Sequence, residues 1–225
     1  MQDPRTLKKQ PVDAEIRSLL AAHGFRLPPE QLSRISAYLT LLRRWNARIN
    51  LVSSTDHRVL VPLLLESLWG ASQYPADFCS HLDIGSGAGF PALPLGIVRP
   101  EVEVTLVESR IRKAMFLETV ATELGLENLR VVNKRLDEFL NSVKPPGSWQ
   151  CISIKGLRLR DKDLRGLIHC AAENLCLWVF HGRRPPLDIG PAGCGLALES
   201  REECPFQSGW YLSKLRVPVV SRETT

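Results

Sequence analysis

Asp83, Gly85, Gly87 and Gly89 spell D-x-G-x-G-x-G within Leu82–Pro91, LDIGSGAGFP. Glycines at every second position let a backbone turn sharply and let a ligand approach where a Cβ would collide. The next apolar run, VEVTLVE, ends on Glu108. A carboxylate at a strand end accepts hydrogen bonds from both hydroxyls of a ribose. Asp137 follows a third apolar run and Lys155 closes a fourth. Glu108, with the glycine loop upstream, therefore supports an adenosine-bearing ligand.

The loop narrows the choice of ligand. A dinucleotide loop needs a small third residue in G-x-G-x-x-G/A, for close packing of helix on strand. Phe90, followed by Pro91, stands there instead, and G-x-x-x-x-G-K-[ST] occurs nowhere in the chain. These observations disfavour a nicotinamide-dependent oxidoreductase and exclude P-loop chemistry. Asp83, two residues before the first glycine, resembles motif I of the S-adenosylmethionine-dependent methyltransferases. Asp137 also has a plainer reading, as an acid favoured by the dipole at a helix start.

The elements that must carry these residues are strands alternating with helices. HLDI, VEVTLV, LRVVN, CISI and LCLWVF read as strands; ALPLGIVRP, RIRKAMFLETVATELG, RLDEFL and DKDLRGLIHCAAE read as helices. That alternation predicts an α/β fold with a Rossmann-like, mostly parallel sheet covered on both faces. KPPGS at 144–148 and the Pro/Gly-rich stretch 183–195 read as loops. LALESREECPF and GWYLSKLRVP then predict a C-terminal antiparallel hairpin.

Residues 1–75 form a helical extension and 76–225 the sheet domain. Leu32, Ile35, Leu39, Leu42, Trp45 and Ile49 recur at steps of three and four, which places them on one helix face. Pro28 and Pro29 mark the start of this helix and Asn50 its end. A further helix over DHRVLVPLLLESLWG has Asp56 as its cap and a kink at Pro62.

With 225 residues and a net charge of +5, the chain is large enough for a substantial core and mildly basic. A basic surface that includes Arg34, Arg43, Arg44 and Arg48 suits a polyanion such as RNA, although each arginine alone reads as a solvated side chain. No apolar run approaches the roughly 18 residues of a membrane span, and the N-terminal segment lacks a signal peptide's apolar stretch. The expected location is cytoplasmic. Six scattered cysteines form no C-x-x-C, so no metal site is expected and they read as small buried hydrophobes.

LLRRWNARINLVS, ESL, LDIGSGAGFPALPLGIVRPEVEVTLVES and RKAMFLETVATELGLENLRVVNKRLDEF together resemble the glucose-inhibited division protein B family, over roughly residues 30–140. These are small-subunit rRNA guanine-N7 methyltransferases. The resemblance implies S-adenosylmethionine as methyl donor, and small-subunit ribosomal RNA or the assembled subunit as partner. It implies that Gly85, Phe90, Glu108, Ser109, Arg110, Leu136 and Asp137 line the cofactor pocket; Asp83, Ser86, Gly87 and Gly89 of the loop, with Lys155, complete the expected cofactor-binding set. A monomer is favoured. The chain departs from the family pattern where Lys155 replaces an arginine facing the active site. It departs again before E-S-L, where Leu63 replaces a histidine and the acid is Glu66. Lys155 is therefore the expected catalytic residue. A catalytically silent RNA- or ribosome-binding relative is the alternative.

Overall fold

The computed structural model describes residues 11–143, 149–184 and 195–217. Three helices come first among the described residues: α1 (Pro11–Ala22), α2 (Pro29–Asn46) and α3 (His57–Ser72). Seven strands follow: β1 (Ser80–Ile84), β2 (Glu103–Val107), β3 (Leu129–Val132), β4 (Trp149–Lys155), β5 (Ala171–His181), β6 (Ala197–Glu203) and β7 (Tyr211–Arg216). Helices α4 (Ala92–Val98), α5 (Ile111–Glu123), α6 (Leu136–Ser142) and α7 (Asp161–His169) connect the first five strands in turn.

All seven strands form one sheet in the order β3-β2-β1-β4-β5-β7-β6. β1 to β5 are parallel, and β7 runs antiparallel to both β5 and β6. This is the mostly parallel sheet with a terminal hairpin that the alternating pattern predicts. Strand order reverses between β1 and β4, so a crevice opens where their carboxyl ends diverge. The glycine loop leaves β1 at that point.

Alternation along the strands divides the residues between two cores. Leu82 and Ile84 of β1, Ile152 and Ile154 of β4, and Leu177 and Val179 of β5 join one cluster, with Leu164 and Leu167 of α7. Cys151, Cys176, Trp178 and Phe180 face the other side and join Leu32, Ile35, Leu39 and Leu42 of α2. The helical extension therefore covers one face of the sheet. Each of those α2 side chains contributes about 1.5–3 kcal/mol by leaving water. Trp45 extends the stripe, its ring 5.9 Å from that of Phe116 in α5.

Several local expectations need correction. Helix α2 stops at Asn46, four residues before Asn50. Its Asn46 Oδ1 accepts from the amides of Leu51 and Val52, both at 2.9 Å, and turns the chain there. Asp56 occupies the cap position of α3, but its side chain makes no capping bond. Of the run CAAE, read as the end of a helix, Cys170 caps α7 and AAE instead enters β5, because Ala171 pairs with Trp149. Cys151, Cys170, Cys176 and Cys204 are buried as expected, whereas Cys79 is exposed. The loop at 144–148 and residues 185–194, Cys194 among them, lie outside the described residues.

Candidate functional site

The loop between β1 and α4 is held by its neighbour strand. Gly85 and Ser86 both donate their amides to the Val107 carbonyl at the end of β2, at 2.8 and 3.2 Å. Gly85, Gly87 and Gly89 have φ of +74°, +55° and +93°, which disfavours any side chain there. Space separates their roles. A Cβ on Gly87 would meet nothing nearer than the Gly85 carbonyl oxygen at 3.7 Å, and one on Gly85 only Leu157 at 3.5 Å. On Gly89 it would lie 2.2 Å from Leu93 Cδ1. The first two glycines leave room for a ligand; the third lets α4 pack.

Glu108 is the polar centre of this cradle. It is only 6% exposed, yet neither oxygen lacks a partner. Oε2 accepts from the Gly87 amide at 2.9 Å and Oε1 from the Arg110 amide at 2.8 Å. Asn133 Nδ2 donates to the Glu108 carbonyl at 2.8 Å and fixes the strand end. A carboxylate offers about four lone-pair sites, so two stay available for a vicinal diol. The donor set and the open loop together fit an adenosyl group, which Glu108, Gly85 and Gly87 would hold.

The remaining predicted residues are distributed around this centre. Ser86 Oγ donates to the Asp83 carbonyl at 3.2 Å and tightens the turn. Ser109 and Arg110 are exposed at the start of α5, and Asp137 is exposed at the start of α6. Leu136 is half-buried and packs on the second core. Phe90 is buried, with its ring 5.4 Å from that of Tyr38 in α2. The Tyr38 hydroxyl donates to the Ala88 carbonyl at 2.7 Å, so α2 buttresses the loop directly.

Below the loop lies a polar chain buried in the sheet. His81 Nε2 lies 2.8 Å from Ser153 Oγ, and Ser153 donates to Asp83 Oδ1. Burial pushes the Asp83 carboxyl up to about 6, against the hydrogen bond from Ser153, which favours the anion. Burial also lowers His81 to about 3, which keeps it neutral. A neutral imidazole then donates from Nε2 to Ser153. His81 thus serves the sheet, and no group of metal-ligating side chains occurs among the described residues.

Lys155 ends β4 and forms an ion pair with Glu66 of α3. Its ammonium also lies 5.6 Å from the centre of the Trp210 ring and 6.0 Å from that of Phe180. Trp210 escaped the sequence reading because it sits in the turn before β7, where antiparallel pairing of Tyr211 with His181 returns the chain to the strand ends.

Beside the cradle, a cleft of about 470 Å³ is lined by Arg48, Arg110, Arg112 and Lys113, with Ile111 at its edge. None of these four cations joins an ion pair among the described residues. Ile111 is 61% exposed. Of the arginines noted in the sequence, Arg48 belongs to this cleft, whereas Arg34 pairs with Glu30 at 2.9 Å. A larger cleft, about 510 Å³, opens at the other end of the sheet beside Ser80, Glu103 and Leu129, away from the loop.

The fold is that of the Rossmann-like methyltransferases. A SAM-dependent methyltransferase from Aquifex aeolicus superposes with a TM-score of 0.53 at 17% identity, over 69% of this chain and 92% of that one. At that identity the likeness concerns the fold alone. The family is defined by sequence: the chain belongs to the GidB family, rRNA small subunit methyltransferase G, whose pattern matches residues 31–158. Among its relatives, the ribosomal RNA small subunit methyltransferase G of Methylobacillus flagellatus is 39% identical over 81% of this chain and 84% of its own. That of Roseiflexus castenholzii is 42% identical over 55% of this chain and 53% of its own. The match thus spans about half the length of the latter. No helix of the described residues is long and apolar enough to cross a membrane.

Proposed function

We propose that this chain is an S-adenosylmethionine-dependent methyltransferase acting on N7 of a guanine in small-subunit ribosomal RNA. One observation carries the reading: the Glu108 cradle opens into the cleft of unpaired cations through shared residues. Arg110 donates its amide to Glu108 and lends its side chain to the cleft. Lys113 Nζ lies 4.0 Å from where a Gly87 Cβ would stand. An adenosyl-binding strand end that borders a phosphate-binding surface suits an RNA substrate.

In this reading Gly85, Gly87 and Glu108 hold the cofactor, with Asp83 and Ser86 shaping the turn, and Leu136 and Asp137 at the adenine end. The cofactor, when bound, supplies an electrophilic methyl group. Guanine N7 carries a free lone pair, so no proton has to be removed. The work of the chain is alignment and charge placement. Arg48, Arg110, Arg112 and Lys113 hold the phosphates, and Lys155 faces the base. The protein acts as a monomer in the cytoplasm.

Calorimetry should detect S-adenosylmethionine and its demethylated product, with NAD inert. Small-subunit RNA from cells lacking the native activity should then accept a methyl group at guanine N7. Cofactor binding without methyl transfer would assign the alternative, a silent RNA-binding relative, to which the engaged state of Lys155 lends support.

A further inference from the structure

The Glu66–Lys155 pair is poorly built for stability. Glu66 is 1% exposed and Lys155 14%, so both charges are largely removed from water. A buried pair recovers that cost only when the remaining hydrogen-bonding sites are filled. Here they are not. Glu66 Oε2 takes the ammonium, while Oε1 is buried and has no partner among the described residues. A lysine ammonium has three donors, and beyond Glu66 the Trp210 and Phe180 rings stand 5.6 and 6.0 Å away. An apolar pair would serve the packing better, so the reason for this one lies in what it presents to the strand ends.

The location supplies that reason. Lys155 extends from the last residue of β4, next to β1, whose end carries the glycine loop. Its charge is felt at Asp83. Guanine presents O6 beside N7 on one edge, and lysine is a common donor to that edge. As the bond from the methyl carbon to N7 forms and its bond to sulfur breaks, the positive charge passes from sulfur to the purine. A lone ammonium near that ring would oppose the change. An ammonium already paired with a carboxylate keeps its donors and loses most of its repulsion.

We propose that Glu66 is the positioning residue for Lys155, setting its ammonium under the Trp210 ring to donate to O6 of the target guanine while cancelling its charge beside N7. This rests on the function proposed above. It also joins the two ends of the chain in one site, since Glu66 comes from the helical extension and Trp210 from the hairpin turn. The two departures from the family pattern at residues 66 and 155 become the two halves of one contact.

Two measurements test it. In methyl transfer to small-subunit RNA, Glu66→Gln should lower kcat tenfold or more and leave KM for S-adenosylmethionine within twofold. The double variant Glu66→Gln with Lys155→Met should be no slower than Lys155→Met alone. An unchanged kcat in Glu66→Gln, or losses that multiply in the double variant, would overturn the proposal. The second measurement needs no RNA. With lysine labelled at Cε, the Lys155 resonance is identified by its loss in Lys155→Met, displaced by ring currents from Trp210 and Phe180. Glu66→Leu, which removes the acceptor at similar volume, should return it to the position of an exposed lysine. A resonance that stays in place refutes positioning by Glu66, whatever the activity. If the unaltered protein transfers no methyl group, the proposed function fails, and the guanine contact with it. The resonance would still decide whether Glu66 places Lys155.

Discussion

Tyr38, at the middle of α2, donates its hydroxyl to the carbonyl of Ala88, between the second and third glycines of the loop. A helix that precedes the sheet by dozens of residues thereby braces the glycine loop. Tyr38→Phe leaves the buried carbonyl without its partner, at a cost of about 1–2 kcal/mol. Calorimetry should show Tm lowered by a few degrees, and S-adenosylmethionine affinity should fall several-fold as the loop loosens.

Glu108 is expected to be the main determinant of cofactor affinity. Glu108→Ala removes the acceptor for a ribose diol and also releases the amides of Gly87 and Arg110. Charge-assisted hydrogen bonds contribute about 1.5–3 kcal/mol each, so affinity by titration calorimetry should drop by roughly two orders of magnitude. The fold should persist by circular dichroism, because Asn133 still holds the strand end through its backbone contact.

The glycines should separate into two phenotypes. Gly87→Ala strains a backbone at φ +55°, by about 1–2 kcal/mol, and places a methyl group where the proposed cofactor would lie. Its expected signature is a modest fall in Tm with a large loss of cofactor binding. Gly89→Ala drives a Cβ into Leu93 at 2.2 Å and should be poorly folded even without ligand. Equal Tm values for the two variants would show that the loop tolerates both.

Acid titration should reveal two opposed buried groups. Asp83 is raised to about 6 from the usual carboxylate range, so the folded protein binds its proton more tightly than the unfolded chain. That contribution is fully present at low pH and is lost as pH rises from about 4 to about 6. His81 is lowered to about 3, so its contribution is present above about 6.5 and is lost as pH falls toward 3. Between pH 4 and 6 the two slopes cancel. Asp83→Asn uncovers the histidine slope, about 1.4 kcal/mol per pH unit for one proton. Its Tm should fall more steeply than that of the unaltered protein on acidification from pH 6.5 to 4.

RNA affinity should depend on salt through the cleft. Replacing Arg48 or Arg112 by alanine should weaken binding to small-subunit RNA and reduce the slope of log K against log salt by about 0.7–0.9 per phosphate lost. S-adenosylmethionine binding should not change. An unaltered slope in both variants would move the phosphate contacts elsewhere.

The strand ends were readable from the sequence because two local signals coincide there. Glycine spacing marks the loop, and apolar runs ending in Glu108 and Lys155 mark the strands. Relations across the chain were not readable. Glu66 and Lys155 lie 89 residues apart, and their meeting depends on where α3 settles over β5, which no periodicity encodes. Phe90 read as a residue of the loop, while its ring packs into the core against Tyr38. The helix expected to reach Asn50 stops at Asn46 because that side chain gives the next amides a better partner than another turn would. Arg48, in the turn after α2, and Arg112 of α5 line one cleft that only the fold assembles.

The outermost strand of the hairpin has a consequence of its own. Among the described residues β6 is the last strand of the sheet on its side, and such edges invite another chain to add a strand. The strand carries ALESREE, with Arg201 folded over the Tyr211 ring at 4.3 Å and Glu199 and Glu202 bound to Arg216 and Lys214 of β7. A flat apolar template is absent along it. Crowding of like molecules at high concentration therefore meets, along β6, a charged and laterally anchored border.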